Sequence, residues 1–283
     1  MLSSGILSLD RIMGGIPYKI VEISGAANCS KSSFIFNLIK ANSDYISLYI
    51  DIDHSMNYNY MKKTFGLDEN NVIITQPTDT EQMINIIETL VDDVDIIIID
   101  SLPSLISKEE LQKSMTQQTN YNYITETIKK LAAVIRNKDT ALILVNQVRS
   151  DLKAKRYNAE TTVANKALNL YASIRLEIKQ TNEIHKYDQI IGSKLLITVV
   201  KNKLRLTNPS NKSVSISHYF NSGYDTTDDL LDLACEYSII DKRGSYYYYR
   251  DNKLGQGKDT VKQYIENTDG LLEELYGMIK SLI

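Results

Sequence analysis

The sequence has no tryptophan, only four prolines and four phenylalanines, and two cysteines in 283 residues. The two cysteines, Cys29 and Cys235, are too few and too far apart for a disulfide framework, so a reducing cytoplasmic setting is expected, or the host cytoplasm if the protein is viral. No apolar run approaches the roughly 18 residues a membrane span requires. The N-terminus MLSSGILSLD lacks a basic region followed by a long apolar stretch, so no secretory leader is expected. Positive charge is not in excess either: 32 Lys and Arg stand against 35 Asp and Glu, for a net charge of −3. That excludes a uniformly basic nucleic-acid coat but leaves room for a local basic stripe. There is no internal repeat and no long low-complexity segment. What remains, 43% hydrophobic and 24% charged residues, is enough for one sizeable core plus a small appended lobe.

Over the first two-thirds, apolar runs alternate with helical stretches. Segments 18–24, 46–50, 71–75, 94–100 and 141–146 read as short buried strands, and 31–41, 57–65, 81–91 and 121–137 as helices. Such alternation predicts an α/β fold with a mostly parallel sheet flanked by helices. Segments 172–179, 194–201 and 212–218 then read as successive strands, with turns at Gly192-Ser193 and Asn208-Pro209-Ser210. After Asn221-Ser222-Gly223 come a helical run at 227–236, a hairpin whose alternate tyrosines (Tyr246–Tyr249) pack inward, and a terminal helix. The boundary is expected near Ser222, giving a core over 1–221 and a small α+β lobe over 222–283.

The strongest local signal is Gly25-Ala26-Ala27-Asn28-Cys29-Ser30-Lys31-Ser32, placed between a strand and a helix as a phosphate-binding P-loop requires. Backbone N–H groups from Gly25 to Ser33 would wrap the phosphates of ATP, helped by the helix N-terminus. Lys31 would reach the β- and γ-phosphates, and Ser32 would bind Mg²⁺. Ser30 replaces the second glycine, which lets the backbone approach the phosphate closely. Cys29 lies at a helix N-terminus, a place that can lower a thiol's pKa, though a bystander role is the simpler reading.

Three strand ends add to this signal. Asp95-Ile96-Ile97-Ile98-Ile99-Asp100 is an apolar strand ending in a carboxylate, about 70 residues after the loop, as in a Walker B element holding Mg²⁺. Asp53, just past the strand ending Tyr49-Ile50-Asp51, is placed to orient or deprotonate an attacking water. Gln147, after Leu144-Val145-Asn146, is placed to contact a γ-phosphate. Each alone has a plainer reading, as a solvated loop acid or an ordinary strand end. Between Arg149 and Lys166 there are five basic residues (Arg149, Lys153, Lys155, Arg156, Lys166), two acids and one aromatic, Tyr157. Basic groups track phosphates and an aromatic stacks on bases, as single-strand binders require; a plain surface loop is the alternative. The polar segment 108–120 is long for a connection and is a candidate second DNA loop.

In this order the motifs resemble the RecA family of recombinases, over nearly the whole chain. The resemblance runs from Ser4-Gly5-Ile6-Leu7-Ser8-Leu9-Asp10 to Leu254-Gly255-Gln256-Gly257-Lys258. Its most specific stretches are Glu160-Thr161-Thr162, the run from Ala167 to Leu176, and Val199-Val200-Lys201-Asn202-Lys203. It implies a P-loop ATPase core that polymerises as a homo-oligomeric filament on single-stranded DNA and then pairs it with duplex DNA. It also implies that Asp53 stands where the family has its catalytic glutamate and that Tyr60 stacks on adenine. Gln147 would couple ATP to the DNA loop, and Lys201 and Lys203 would reach the neighbour's ATP. Asp53 is one methylene short and Ser30 is not glycine, so slow hydrolysis is expected. Ala164 and Asn165 replace a glycine pair, so that hinge is expected to be stiff. The family's N-terminal packing segment and acidic tail have no counterpart in these residues, which suggests a trimmed, phage-type member. Two rivals are a nucleotide-binding mediator with little catalysis and a helicase or clock-type ATPase on the same core. The basic residues Lys242, Arg243, Arg250 and Lys253 read either as a duplex-capturing face or as solvated surface.

Overall fold

The computed structural model describes residues 1–67, 70, 72–107, 121–150, 160–204 and 212–283, and gives no side-chain description for 121, 122, 149, 150, 160 and 161. Five parallel strands come first: β1 (Ile20–Gly25), β2 (Ser47–Asp51), β3 (Val72–Thr75), β4 (Ile96–Asp100) and β5 (Ala141–Ser150). They are joined by helices α1 (Leu7–Met13, ahead of β1), α2 (Lys31–Ala41), α3 (Tyr58–Tyr60, continuing as a π-helical turn Met61–Phe65), α4 (Thr80–Leu90) and α5 (Tyr121–Val134). β1, β2 and the isoleucines of β4 are buried on both faces, as strands in a sheet covered by helices must be. Asp79 starts α4 by accepting from the Gln82 amide at 2.7 Å, and Asn57 starts α3 by accepting from the Tyr60 amide at 2.9 Å.

The remaining elements are β6 (Glu160–Thr162), α6 (Asn165–Tyr171), β7 (Ile174–Lys186), β8 (Gln189–Asn202), β9 (Lys212–Tyr219), β10 (Gly223–Tyr224), α7 (Thr226–Glu236), β11 (Ile240–Arg243), β12 (Tyr246–Tyr249), β13 (Asn252–Gln256), α8 (Lys258–Asn267) and α9 (Leu271–Lys280). Among the described residues the main sheet has ten strands in the order β10-β9-β8-β7-β1-β5-β4-β2-β3, with β6 paired to β5. The half from β7 to β3 is parallel, and the half from β7 to β10 is an antiparallel meander.

The turn expected at Gly192-Ser193 is absent. β8 runs straight through it, and the reversal lies instead between Lys186 and Gln189. Gly192 is there for close approach: a Cβ on it would meet the His218 carbonyl oxygen of β9 at 2.3 Å. Segment 208–210 lies outside the described residues.

β10 still belongs to the main sheet, paired with β9 through Gly223–Tyr219 and Tyr224–His218. The three-stranded sheet β11-β12-β13 and helices α7, α8 and α9 enclose their own apolar cluster, with Leu231, Val261, Leu275 and Ile279 fully buried. Tyr247 and Tyr249 point into it, while Tyr246 and Tyr248 lie half-exposed under Lys253 and Arg243. Leu7 of α1 also joins this cluster, and the Ser8 amide donates to Asp229 at 3.0 Å. No described helix is long and apolar enough to cross a membrane.

Candidate nucleotide site

At the C-terminal end of β1 the chain turns sharply into α2. Gly25 lies at the tightest point: a Cβ there would meet Cys29 Sγ at 2.4 Å and the Ile178 carbonyl oxygen at 2.5 Å. Asn28 and Ser30 both take positive φ, 61° and 59°, curling the loop so that its amides face inward ahead of the helix. Lys31 Nζ donates back across this curl to the carbonyl oxygens of Gly25 (3.1 Å) and Ala26 (2.6 Å). The ammonium therefore stands over the loop's mouth, beside a cleft of about 310 Å³ lined by Gly25, Ala26, Ala27, Cys29 and Val148. Cys29 is 3% exposed, and burial raises its pKa against the opposing pull of Lys31, which fits the bystander reading and not an activated thiolate.

The neighbouring strand ends supply oxygens. β4 ends at Asp100, whose Oδ2 accepts from Ser32 Oγ at 3.1 Å and from the Tyr49 hydroxyl at 2.6 Å. Burial raises the pKa of Asp100 against these two bonds, and the same burial pushes Tyr49 well above a free phenol. Asp53 is exposed, with its Oδ2 accepting from Ser101 Oγ at 3.1 Å. Asp51 is instead buried and structural, holding the amides of Ser55 and Met56 and the Gln76 side chain. Gln147 stands in register opposite Gly25, and Asn146 Oδ1 accepts from the Gln147 amide at 2.9 Å. Tyr60 lies edge-on to Phe65, with its hydroxyl 3.2 Å from Ser33 Oγ at the start of α2.

Lys31, Ser32, Ser33, Asp100, Asp53, Tyr60 and Gln147 thus converge on one end of the sheet. Lys201 and Lys203 sit elsewhere, at the C-terminal end of α6, where Lys201 donates to the carbonyl oxygen of Ala172 (2.7 Å) and Lys203 to that of Leu170 (2.6 Å). Burial and then the adjacent Lys203 bring Lys201 down to about 8. Lys166 is exposed on α6. Lys153, Lys155, Arg156 and Tyr157 lie outside the described residues, as do the side chain of Arg149 and segment 108–120.

Among the described residues no cluster of three His, Cys, Asp or Glu side chains forms a self-sufficient metal site. The hydroxyl of Ser32 beside the carboxylate of Asp100 nonetheless fits Mg²⁺, which takes hard oxygen donors and is held by few protein ligands plus phosphate and water. Sequence reasoning missed Tyr49, although its position in β2, two residues before Asp51, puts it on the same face as that acid. It also missed the link behind the loop. Buried Glu22 of β1 pairs with Arg175 of β7 and accepts from Asn146 Nδ2 at 2.8 Å, while Arg175 reaches Asn169 and, at 3.2 Å, Thr162. This ties the phosphate-loop strand to β5, β6 and α6.

The family model of the RecA N-terminal domain matches residues 1–225, and that of the RecA C-terminal domain matches 228–283. The RecA protein of Mycoplasma mycoides is 34% identical over 291 residues, covering 99% of this chain and 83% of its own. That of Clostridioides difficile (strain 630) is 33% identical, covering 97% of this chain and 81% of its own. A crystal structure of the RadB recombinase superposes with a TM-score of 0.59 at 17% identity, over 79% of this chain and 98% of that one, a likeness of fold. A P-loop backed by a carboxylate-ended strand, on a sheet of this topology and with relatives at this identity over nearly its whole length, makes the chain a member of the RecA family.

Proposed function

We propose that the protein is an ATP-dependent recombinase that assembles as a filament on single-stranded DNA, pairs it with homologous duplex DNA and exchanges strands in recombination and repair. The observation that carries this reading is the convergence of Lys31, Ser32, Asp100 and Asp53 at one end of the sheet, with Gln147 in register beside the loop. Bound ATP·Mg²⁺ supplies the phosphoryl group for hydrolysis and, through its γ-phosphate, a signal of nucleotide state. The loop from Gly25 to Ser33 offers amides to the phosphates, and Lys31 exchanges its carbonyl partners for phosphate oxygens. Ser32 and Asp100 hold Mg²⁺, and Tyr60 borders the base. Asp53, free in solvent except for Ser101, orients water.

Asn146 connects Gln147 to Glu22 and to the Val163 carbonyl oxygen at 3.0 Å, just past β6. Nucleotide contact at Gln147 is therefore mechanically continuous with the paired strands β5 and β6, and we assign Arg149, Lys153, Lys155, Arg156 and Tyr157, on β5 and in the sequence between the two strands, to DNA together with Lys166. Lys201 and Lys203, on the surface at the end of α6, serve the neighbouring subunit's nucleotide. We assign these tasks to the body of residues 1–221 and leave 222–283 as the appended lobe.

The test is ATP turnover with and without single-stranded DNA, for the wild type and Lys31→Ala. Turnover stimulated by DNA and lost in the variant is the expected result. Normal DNA binding and strand exchange by Lys31→Ala would sink the reading.

A further inference from the structure

The phosphate loop carries a side chain where its backbone favours glycine. Ser30 has φ 59° and ψ 30°, and its hydroxyl makes no capping bond to α2. That hydroxyl turns instead toward β9, where Ser30 Oγ lies 3.3 Å from His218 Nδ1. The Ser30 carbonyl oxygen accepts from the Tyr224 hydroxyl of β10 at 3.2 Å. His218 is 3% exposed and Tyr224 6%. Their rings meet edge-on at 5.0 Å, and Phe34 also packs edge-on against Tyr224 at 6.1 Å. Buried imidazole nitrogens normally find partners. Among the described residues His218 Nε2 has none, so Ser30 is the ring's one hydrogen-bond partner there. An apolar side chain would fill this position without leaving a nitrogen unsatisfied. A polar ring aimed at Ser30, the left-handed residue that immediately precedes α2, points to a task in the loop.

We propose that His218 and Tyr224 act as a clamp that holds Ser30 in its left-handed conformation and thereby presets the phosphate loop for nucleotide. They are positioning residues, acting through Ser30, and the inference rests on the ATP reading above. The hydroxyl fixes the side-chain end of Ser30 and the carbonyl its backbone end, so the amides of Ser30 and Lys31 keep one orientation. Glycine at position 30 would adopt the same turn unaided and would make the clamp redundant.

The experiment is calorimetric titration of the full chain with Mg²⁺·ADP, with the urea midpoint of each variant alongside. His218→Phe and Ser30→Ala are each expected to weaken binding about 3- to 10-fold, the loss of one hydrogen bond. His218→Asn, which keeps a polar atom near the Nδ1 position, restores most of it. Ser30→Gly binds at least as tightly as the wild type, and adding His218→Phe to it changes nothing further. If His218→Phe does not fold, Ser30→Ala against the wild type carries the comparison, since both place a Cβ in the left-handed turn and only serine has the hydroxyl. Weakening by His218→Phe that is equally large in the Ser30→Gly background would show a merely structural role and overturn the clamp, as would no weakening with Ser30 in place. Wild-type binding that is lost in Lys31→Ala but unmoved by His218→Phe overturns the clamp alone. No wild-type binding, or binding that survives Lys31→Ala, overturns the nucleotide reading and the clamp with it.

Discussion

Arg175→Met removes the cation from the buried centre of the core. Glu22 is fully buried and Arg175 is 7% exposed. The guanidinium pairs with Glu22 and also bonds Asn169 and Thr162. Without it Glu22 keeps one bond, from Asn146 Nδ2 at 2.8 Å, and a charge with no counter-ion. Breaking a buried pair from one side costs about 3–5 kcal/mol. Asn169 is exposed and Thr162 only half-buried, so water replaces their lost bonds and adds little. With an unfolding entropy of roughly 2.1 cal/mol/K per residue, that cost lowers the melting midpoint by about 5–8 °C. Glu22→Leu with Arg175→Met removes both charges together. Asn146 keeps the Val163 carbonyl oxygen, and the double variant should fall within about 1–2 kcal/mol of the wild type. Urea and thermal unfolding followed by circular dichroism give the values for Arg175→Met, for Glu22→Leu and for the double variant. A single variant within about 1 kcal/mol of the wild type, or a double variant as unstable as the sum of the singles, would refute the argument that an unpaired buried charge dominates here.

Two further outcomes follow from the site. Asp53→Glu restores the missing methylene and should raise DNA-stimulated turnover by on the order of 10-fold, since about 1 Å of misplacement costs up to 100-fold; an Asp53→Glu variant slower than the wild type in a coupled ATPase assay would disprove the claim that reach limits the rate. His218 governs a pH effect. Burial pushes its pKa down to about 4, whereas the unfolded chain takes the proton near 6.5. Acid therefore favours unfolding: this group's share of stability is complete above pH 6.5, is lower by about 2 kcal/mol at pH 5, and levels off below 4. His218→Phe should flatten the urea midpoint between pH 7 and pH 5 relative to the wild type, and an unchanged slope would place the imidazole in water.

The parallel half of the fold is written in the sequence because its strands are short, apolar and buried on both faces; the four isoleucines of β4 admit no other reading. The meander is harder to read. β7 and β8 extend well past their apolar stretches into exposed polar residues, 180–190, where the pairing depends on the partner strand and not on burial. Gly192 misled for the same reason: glycine marks either a turn or a close approach, and only the position of β9 decides between them.

The site divides along the same line. Lys31, Ser32 and Asp100 are legible because the expected phosphate and Mg²⁺ chemistry calls for lysine and serine where a loop opens a helix after a glycine, and for a carboxylate where an apolar strand ends. His218 and Tyr224 carry no such signal. They lie almost two hundred residues from Ser30 and enter the site because β9 and β10 fold back along α2. Read in isolation, Ser30 is a defect in a phosphate loop, and the expected consequence is slow hydrolysis. Set beside His218 and Tyr224, it is one member of a matched set, and its cost depends on whether the other two are present. A substitution that looks damaging within a motif is therefore to be judged with the side chains the fold brings to it. Here the decisive comparison is His218→Phe with Ser30 in place against His218→Phe in the Ser30→Gly background, because glycine removes the need for a clamp.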